Sequence, residues 1–285
     1  MSSSQLPVVR FLFVLLVLGG LLSGCGDKTP AASTGPSSQP LPAAVFDLQG
    51  DPEASQGATW TYKGTLQGVV FDLQGVLLKT TGSGPFPAVV ISHGAGGNAL
   101  GYSRAIAIEM RRWGLVCIAT NYTHAGGVPL GAPGTLSEPG ASQANVLRAH
   151  AAREILRTLG YVDMTRVAAH GHSMGAFVTT ALVAVYPDDF RVASHTAGGV
   201  IAASVGAATP SETQARAIRA PYQLHHGDAD LVVPIAQDQR LDAILQANAV
   251  PHELQVYPGA AHNDVAQSQT VLARVRSWYM THGLF

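Results

Sequence analysis

From residue 87 onward, short apolar runs alternate with longer segments in which apolar positions recur every three or four residues. The short runs are Ala88–Ser92, Leu115–Thr120, Arg166–His170, Arg191–His195, Tyr222–His226 and His252–Tyr257. Each has the length and apolar character of a strand buried on both faces. Between and after them, segments around 101–113, 141–159, 174–186, 236–248 and 264–281 carry helical spacing. In the second, Leu147, Ala151, Ile155 and Leu159 fall every four residues and form one core-facing stripe. Buried strands alternating with amphipathic helices predict an α/β fold, a mostly parallel central sheet with helices on both faces. The pattern before residue 87 is different. Thr59–Thr65, Gln67–Leu73 and Val76–Thr80 alternate apolar with polar positions, and Gly64, Gly68, Gly75 and Gly82 punctuate them, which predicts an N-terminal antiparallel β-meander. Val45-Phe-Asp-Leu-Gln-Gly50 recurs as Val70-Phe-Asp-Leu-Gln-Gly75. Two copies are too few for a solenoid and read as a local duplication within the meander.

Composition narrows the classes of partner. The 285 residues are 47% hydrophobic and 12% charged, with a formal net charge of −1. The 14 Arg and 3 Lys are scattered along the chain, so no basic surface for nucleic acid is expected. Two cysteines make neither a disulfide framework nor a metal set, and Cys117 sits in an apolar run as a small core residue. No metal or organic cofactor is expected.

Cys25 belongs to another context. Arg10 and the amino terminus precede an apolar run, Phe11–Leu22, that has the length of a secretory h-region and is short for a membrane span. The run ends Leu22-Ser23-Gly24-Cys25, which resembles the lipobox of bacterial lipoproteins. That resemblance implies a signal peptide over 1–24, lipidation of Cys25, and attachment to the membrane of the cell envelope, the outer membrane if the source is Gram-negative. An ordinary signal peptide or an uncleaved anchor is the alternative. The stretch 25–44, rich in Pro, Ser, Thr and Ala, reads as a flexible tether, and 45–285 as a single domain.

Within that domain, Gly171-His172-Ser173-Met174-Gly175 lies between a predicted strand and a predicted helix. Serine at such a turn has its hydroxyl lifted clear of the sheet, and glycines two residues to either side relieve the crowding of the bend. An activated serine needs a base, a group that fixes the base's tautomer, and donors for an oxyanion. His195, His225, His226, His252, His262 and His282 lie downstream. His262 follows the last strand in Tyr-Pro-Gly-Ala-Ala-His, a loop just before the final helix, and is the candidate base. His172 adjoins the serine, but neighbouring side chains diverge at an elbow, so it is expected to pack or line the pocket. The loop His226-Gly-Asp-Ala-Asp-Leu-Val-Val-Pro234 offers two acids, Asp228 and Asp230. Asp188 and Asp189 follow the elbow helix on the wrong side of the sheet and read as turn residues. The loop Ser92-His-Gly-Ala-Gly-Gly-Asn98 lets main chain approach a substrate, with His93 ordering it. Neither G-x-x-x-x-G-K-[ST] nor G-x-G-x-x-G occurs in it, so a phosphate cradle is not indicated.

Taken in order, His93–Gly97, Gly171–Gly175, His226–Pro234 and His262 resemble the motifs of the α/β-hydrolases over residues 60–285. The branch most alike is that of dienelactone-hydrolase-like serine hydrolases, including relatives of platelet-activating-factor acetylhydrolase and bacterial polyester hydrolases, whose elbow often reads G-H-S-M-G. Dienelactone hydrolase itself has cysteine where this chain has Ser173. The resemblance implies an α/β-hydrolase fold and a triad of Ser173, Asp230 and His262, with the amides of Met174 and Ala95 as oxyanion donors. It also implies cleavage of small to medium carboxylic esters, with the loops Gly126–Gly140 and Gly198–Ser211 as substrate walls. A peptidase or amidase on the same fold, and a non-catalytic binding lipoprotein, are the alternatives.

Overall fold

The computed structural model describes residues 46–66, 69–126, 140–201 and 210–285. The predicted signal peptide, Cys25, the tether, and most of both predicted substrate walls lie outside the described residues.

Nine strands form one sheet: β1 (Phe46–Gln49), β2 (Ala58–Leu66), β3 (Val69–Leu78), β4 (Phe86–Ser92), β5 (Val116–Thr120), β6 (Val162–His172), β7 (Val192–Thr196), β8 (Tyr222–Gly227) and β9 (His252–Tyr257). Their spatial order is β1-β2-β3-β5-β4-β6-β7-β8-β9. Pairings from β1 to β5 along that order are antiparallel, and all those from β5 to β9 are parallel. The helices are α1 (Arg104–Arg111), α2 (Gln143–Thr158), α3 (Met174–Val185), α4 (Glu212–Ala215), α5 (Ala236–Ala247) and α6 (Gln269–Thr281). Among the described residues, no helix is long and apolar enough to cross a membrane.

The period-two alternation of the strands divides the core into two layers. Ala88, Val90, Val116, Ile118, Val167 and Ala169 face α2, α3 and α5, whereas Val89, Ile91, Cys117, Ala119 and Ala168 face α1 and α6. Cys117 is fully buried, and burial pushes its thiol pKa up, so it serves as a small apolar side chain. The sheet therefore has helices on both faces, as the alternating pattern predicts.

The meander departs from expectation at Gly75, predicted to separate two strands. Instead β3 runs unbroken from Val69 to Leu78, pairing Gly75 with Trp60 on one side and Thr120 on the other. A Cβ at Gly75 would lie 1.9 Å from Ala119 O and 2.6 Å from the Trp60 ring. The glycine is there for close packing rather than for a turn. The final helix begins at Gln269, later than expected, because Ala261–Val265 and the residues after it form turns that carry the loop of His262. The repeated hexapeptide has a structural outcome too, because β1 and β3 flank β2. Phe46 and Leu48 pair with Tyr62 and Trp60, and Leu73 pairs with Tyr62 from the opposite side.

Candidate active site

The carboxyl ends of β4, β6, β7 and β8 and the loop after β9 bring the predicted site residues together. Strand β6 ends at His172, α3 starts at Met174, and Ser173 is the single residue between them. Its backbone sits at φ 55°, ψ −123°, a conformation that non-glycine residues rarely adopt. The amide of Ser173 donates to Thr196 O at 3.0 Å, and its carbonyl accepts from Ala176 at 2.8 Å, so both sides of the bend are held. The flanking glycines permit it. A Cβ at Gly171 would come within 2.2 Å of Gly175 O, and one at Gly175 within 2.2 Å of Ser92 O.

His262 Nε2 lies 2.8 Å from Ser173 Oγ, and its Nδ1 lies 2.7 Å from Asp230 Oδ2. A carboxylate accepts only, so the Nδ1 proton faces Asp230 and Nε2 is free to accept the serine hydroxyl. The other oxygen of Asp230 accepts the amides of Val232 and Val233 at 2.8 and 2.9 Å. Burial would raise the Asp230 carboxyl, but the His262, Val233 and Val232 hydrogen bonds outweigh it and hold the pKa below the usual carboxylate range. Asp228, the other acid of the loop, accepts the amide of Gly259 at 2.6 Å, a backbone tie rather than a contact with an imidazole.

His172 does not bond to the serine. Its Nδ1 lies 2.9 Å from Thr196 Oγ1 and its Nε2 3.4 Å from Asn263 Oδ1, while its ring sits 4.9 Å from that of His262, centre to centre. Burial and then the neighbouring His262 push its pKa down to about 4, so at neutral pH it is an uncharged wall of the site. His93 is buried, with Nδ1–H donated to Gly94 O at 2.9 Å and Nε2 accepting the amide of Tyr122 at 3.3 Å. It pins the glycine loop from below. Burial lowers its pKa to about 3.

That loop runs beside the serine, since a Cβ on Gly94 would stand 3.2 Å from Ser173 Cβ. Gly96 and Gly97 spend their amides on His124 O and Gly94 O, at 3.0 and 3.1 Å. Among the described residues, the amides of Ala95 and Met174 donate to no backbone carbonyl. Met174 is the first residue of α3, where no intrahelical acceptor exists.

Two features escaped the sequence reading. Behind Asp230, His226 and His195 both bond to the buried Asp238 of α5, at 2.6 and 2.7 Å. Three elements, β7, β8 and α5, meet there, so no helical or strand period announces them. At the other end of the sheet, Asp189 closes its turn as expected but also accepts from His150 at 3.0 Å and pairs with Arg153. His150, Glu154 and Asp189 have metal-ligand spacing, but Arg153 and Arg157 already occupy the carboxylate oxygens.

Comparisons with known proteins agree with this architecture. The chain is 29% identical over 273 residues to the uncharacterized protein Rv2307c of Mycobacterium tuberculosis strain H37Rv, covering 91% of this chain and 88% of the relative. Among solved structures it resembles esterase 2 of Thermogutta terrifontis, with a TM-score of 0.59, 15% identity, and coverage of 79% of this chain and 95% of that one. It also resembles the acylaminoacyl peptidase of Pyrococcus horikoshii, with a TM-score of 0.59, 16% identity, and coverage of 83% and 41%. The chain spans under half the length of the peptidase chains it matches. The sequence profile of the dienelactone hydrolase family matches residues 73–282. With that match and a nine-stranded sheet of α/β-hydrolase form, this chain belongs to the dienelactone hydrolase family of hydrolases.

Proposed function

We propose that the protein is a carboxylic ester hydrolase that works through an acyl-enzyme on Ser173. The observation that carries this reading is His262, bonded at once to Ser173 Oγ and Asp230 Oδ2 at 2.8 and 2.7 Å. His262 Nε2 takes the serine proton as Oγ attacks the ester carbonyl carbon. The amides of Met174 and Ala95 receive the oxyanion, and Asp230 keeps the imidazolium oriented. The C–O bond to the alcohol then breaks, and His262 returns the proton to the departing oxygen. Water repeats the sequence on the acyl-enzyme, His262 taking its proton, the carboxylic acid leaving and Ser173 regaining its hydrogen. The esters are small to medium in size.

An ester rather than a peptide substrate is supported by the size of the relatives. The chain accounts for 95% of the esterase it resembles but only 41% of the acylaminoacyl peptidase. That esterase is described as phosphoramylated by tabun. A fluorophosphonate probe is therefore the direct test, expected to label wild type and not Ser173→Ala. Equal labelling of both, or of neither, overturns the reading. Rates on p-nitrophenyl butyrate are expected to exceed those on aminoacyl anilides; the reverse order makes it a peptidase. Attachment of the chain to the cell envelope through lipidated Cys25 is the companion proposal. It predicts metabolic incorporation of an alkynyl fatty acid that Cys25→Ala abolishes.

A further inference from the structure

Asp230 has a second imidazole beside it. His226 Nε2 lies 3.3 Å from Asp230 Oδ2, the same oxygen that His262 uses, and 2.9 Å from Val233 O. Its Nδ1 lies 2.6 Å from Asp238 Oδ2. Both side chains of the His226–Asp238 pair are fully buried. A carbonyl and ionised carboxylates cannot donate, so a ring flanked by them satisfies both its nitrogens only by carrying a proton on each.

The remaining neighbours agree. Asp238 Oδ1 faces His195 Nε2 at 2.7 Å on β7, and His195 Nδ1 lies 2.9 Å from the Tyr222 hydroxyl, a group able to donate. His195 gives Nε2–H to Asp238, which leaves Asp238 an acceptor, ionised toward His226. Burial would raise Asp238, but the charge and hydrogen bond of His195, then those of His226, hold its carboxyl at about 2. His225, the next residue on β8, faces Tyr257 and Gln223 instead, and its burial keeps it neutral. Asp238 on α5, Asp230 on the loop after β8, and His195 and His262 beyond them are the titratable groups around His226. Burial alone would lower His226, yet the hydrogen bond and charge of Asp238 carry it above the ordinary histidine value.

We propose that His226 is a positioning residue of the hydrolytic reaction: an imidazolium clamped between Asp230 and Asp238 that tempers the pull of Asp230 on the proton held by His262. The acid of the site then stands in a row, Ser173–His262–Asp230–His226–Asp238–His195, in which a buried cation separates two buried anions. Its catalytic part rests on the serine hydrolase reading; its charge assignment does not. Without the cation, Asp230 would favour the protonated, inactive form of His262 more strongly. The base would then be available only at higher pH.

Two measurements on the full chain test this. In protein labelled with ring-15N histidine, the signals lost in His226→Gln identify His226, and both of its nitrogens are expected to carry protons at pH 7. A single neutral tautomer at pH 7 overturns the assignment. In the second, the acidic limb of kcat/KM for p-nitrophenyl butyrate is expected to move up by about one pH unit in His226→Gln, the lower end of what loss of a charge at contact distance produces. The double variant His226→Gln/Asp238→Asn, which removes cation and anion together and leaves no unpaired buried charge, is expected to return the limb most of the way. A folded His226→Gln with an unmoved limb overturns the positioning role, as does a double variant whose limb moves as far as that of the single one. Where His226→Gln fails to fold, the double variant against Asp238→Asn decides, since removing the cation from a protein already carrying the neutral amide is expected to raise the limb and no rise refutes the role. If Ser173 takes no fluorophosphonate in wild type, the catalytic part falls with the hydrolase reading, while the NMR result still settles the charge of His226.

Discussion

Acidification should unfold this protein through four buried imidazoles. His93, His170 and His225 are held at about 3 and His172 at about 4, in each case first by burial. Each is neutral in the fold, whereas in the unfolded chain each titrates near 6.5. The unfolded state therefore binds more protons as pH falls below about 6.5, and stability present above that value is lost progressively down to the folded values, about 4 for His172 and about 3 for the other three. At pH 5.5 each group costs about 1.4 kcal/mol, and the four together about 6 kcal/mol, against a total stability of order 5–15 kcal/mol. His226 works in the opposite sense: its raised folded pKa contributes stability below 6.5 that is lost as pH rises through the folded value. It is one group against these four, and burial holds His124 and His282 below the ordinary histidine value as well. Asp230 and Asp238 have depressed pKa values, so their contribution is lost only in more acid solution, below about 4. Urea unfolding followed by tryptophan fluorescence at pH 7.5, 6.5 and 5.5 should show the midpoint falling steeply across the last interval. His225→Gln, placed against Tyr257 and Gln223, should remove roughly a quarter of the slope. A midpoint that stays level from pH 7.5 to 5.5 would refute the argument, because the buried rings would then have to be charged or solvated in the fold.

Other consequences concern the site itself. Ser173→Gly removes the Cβ from a residue at φ 55° and should raise stability by about 1 kcal/mol while abolishing ester turnover, as thermal melts and p-nitrophenyl butyrate assays would show. Gly175→Ala places a Cβ 2.2 Å from Ser92 O. It should cost about 3 kcal/mol or more, read as a lower Tm with activity lost alongside. Asp230→Asn should lower kcat by roughly 10^4-fold through the wrong tautomer of His262. Asp228→Asn, which keeps an oxygen for the Gly259 amide, should stay within about threefold of wild type in the same kinetics; an equal loss in both would reassign the acid.

How far the sequence reached depends on whether a feature is local. Strands such as Ala88–Ser92 and helices such as 143–158 were legible because burial on both faces or on one stripe writes a period into the chain itself. The elbow was legible for a similar reason, since two glycines, a strand and a helix all lie within a few residues of Ser173. Gly75 was misread because a glycine that ends a strand and one that admits Trp60 and Ala119 O look identical in sequence. The choice between Asp228 and Asp230 likewise turned on which carboxylate the loop after β8 aims at His262, a direction no spacing records. His226 was visible only as part of a loop motif, and Asp238 and His195 were not visible as its companions. By itself, then, the sequence determined the alternation of elements, the depth of the core and the presence of a strained serine, all of which depend on neighbours along the chain. Tertiary structure alone decided strand order, the partner of each acid and the charge clamped behind Asp230. Those depend on contacts between β7, β8, α5 and the loop after β9, brought together by folding from positions 12 to 43 residues apart.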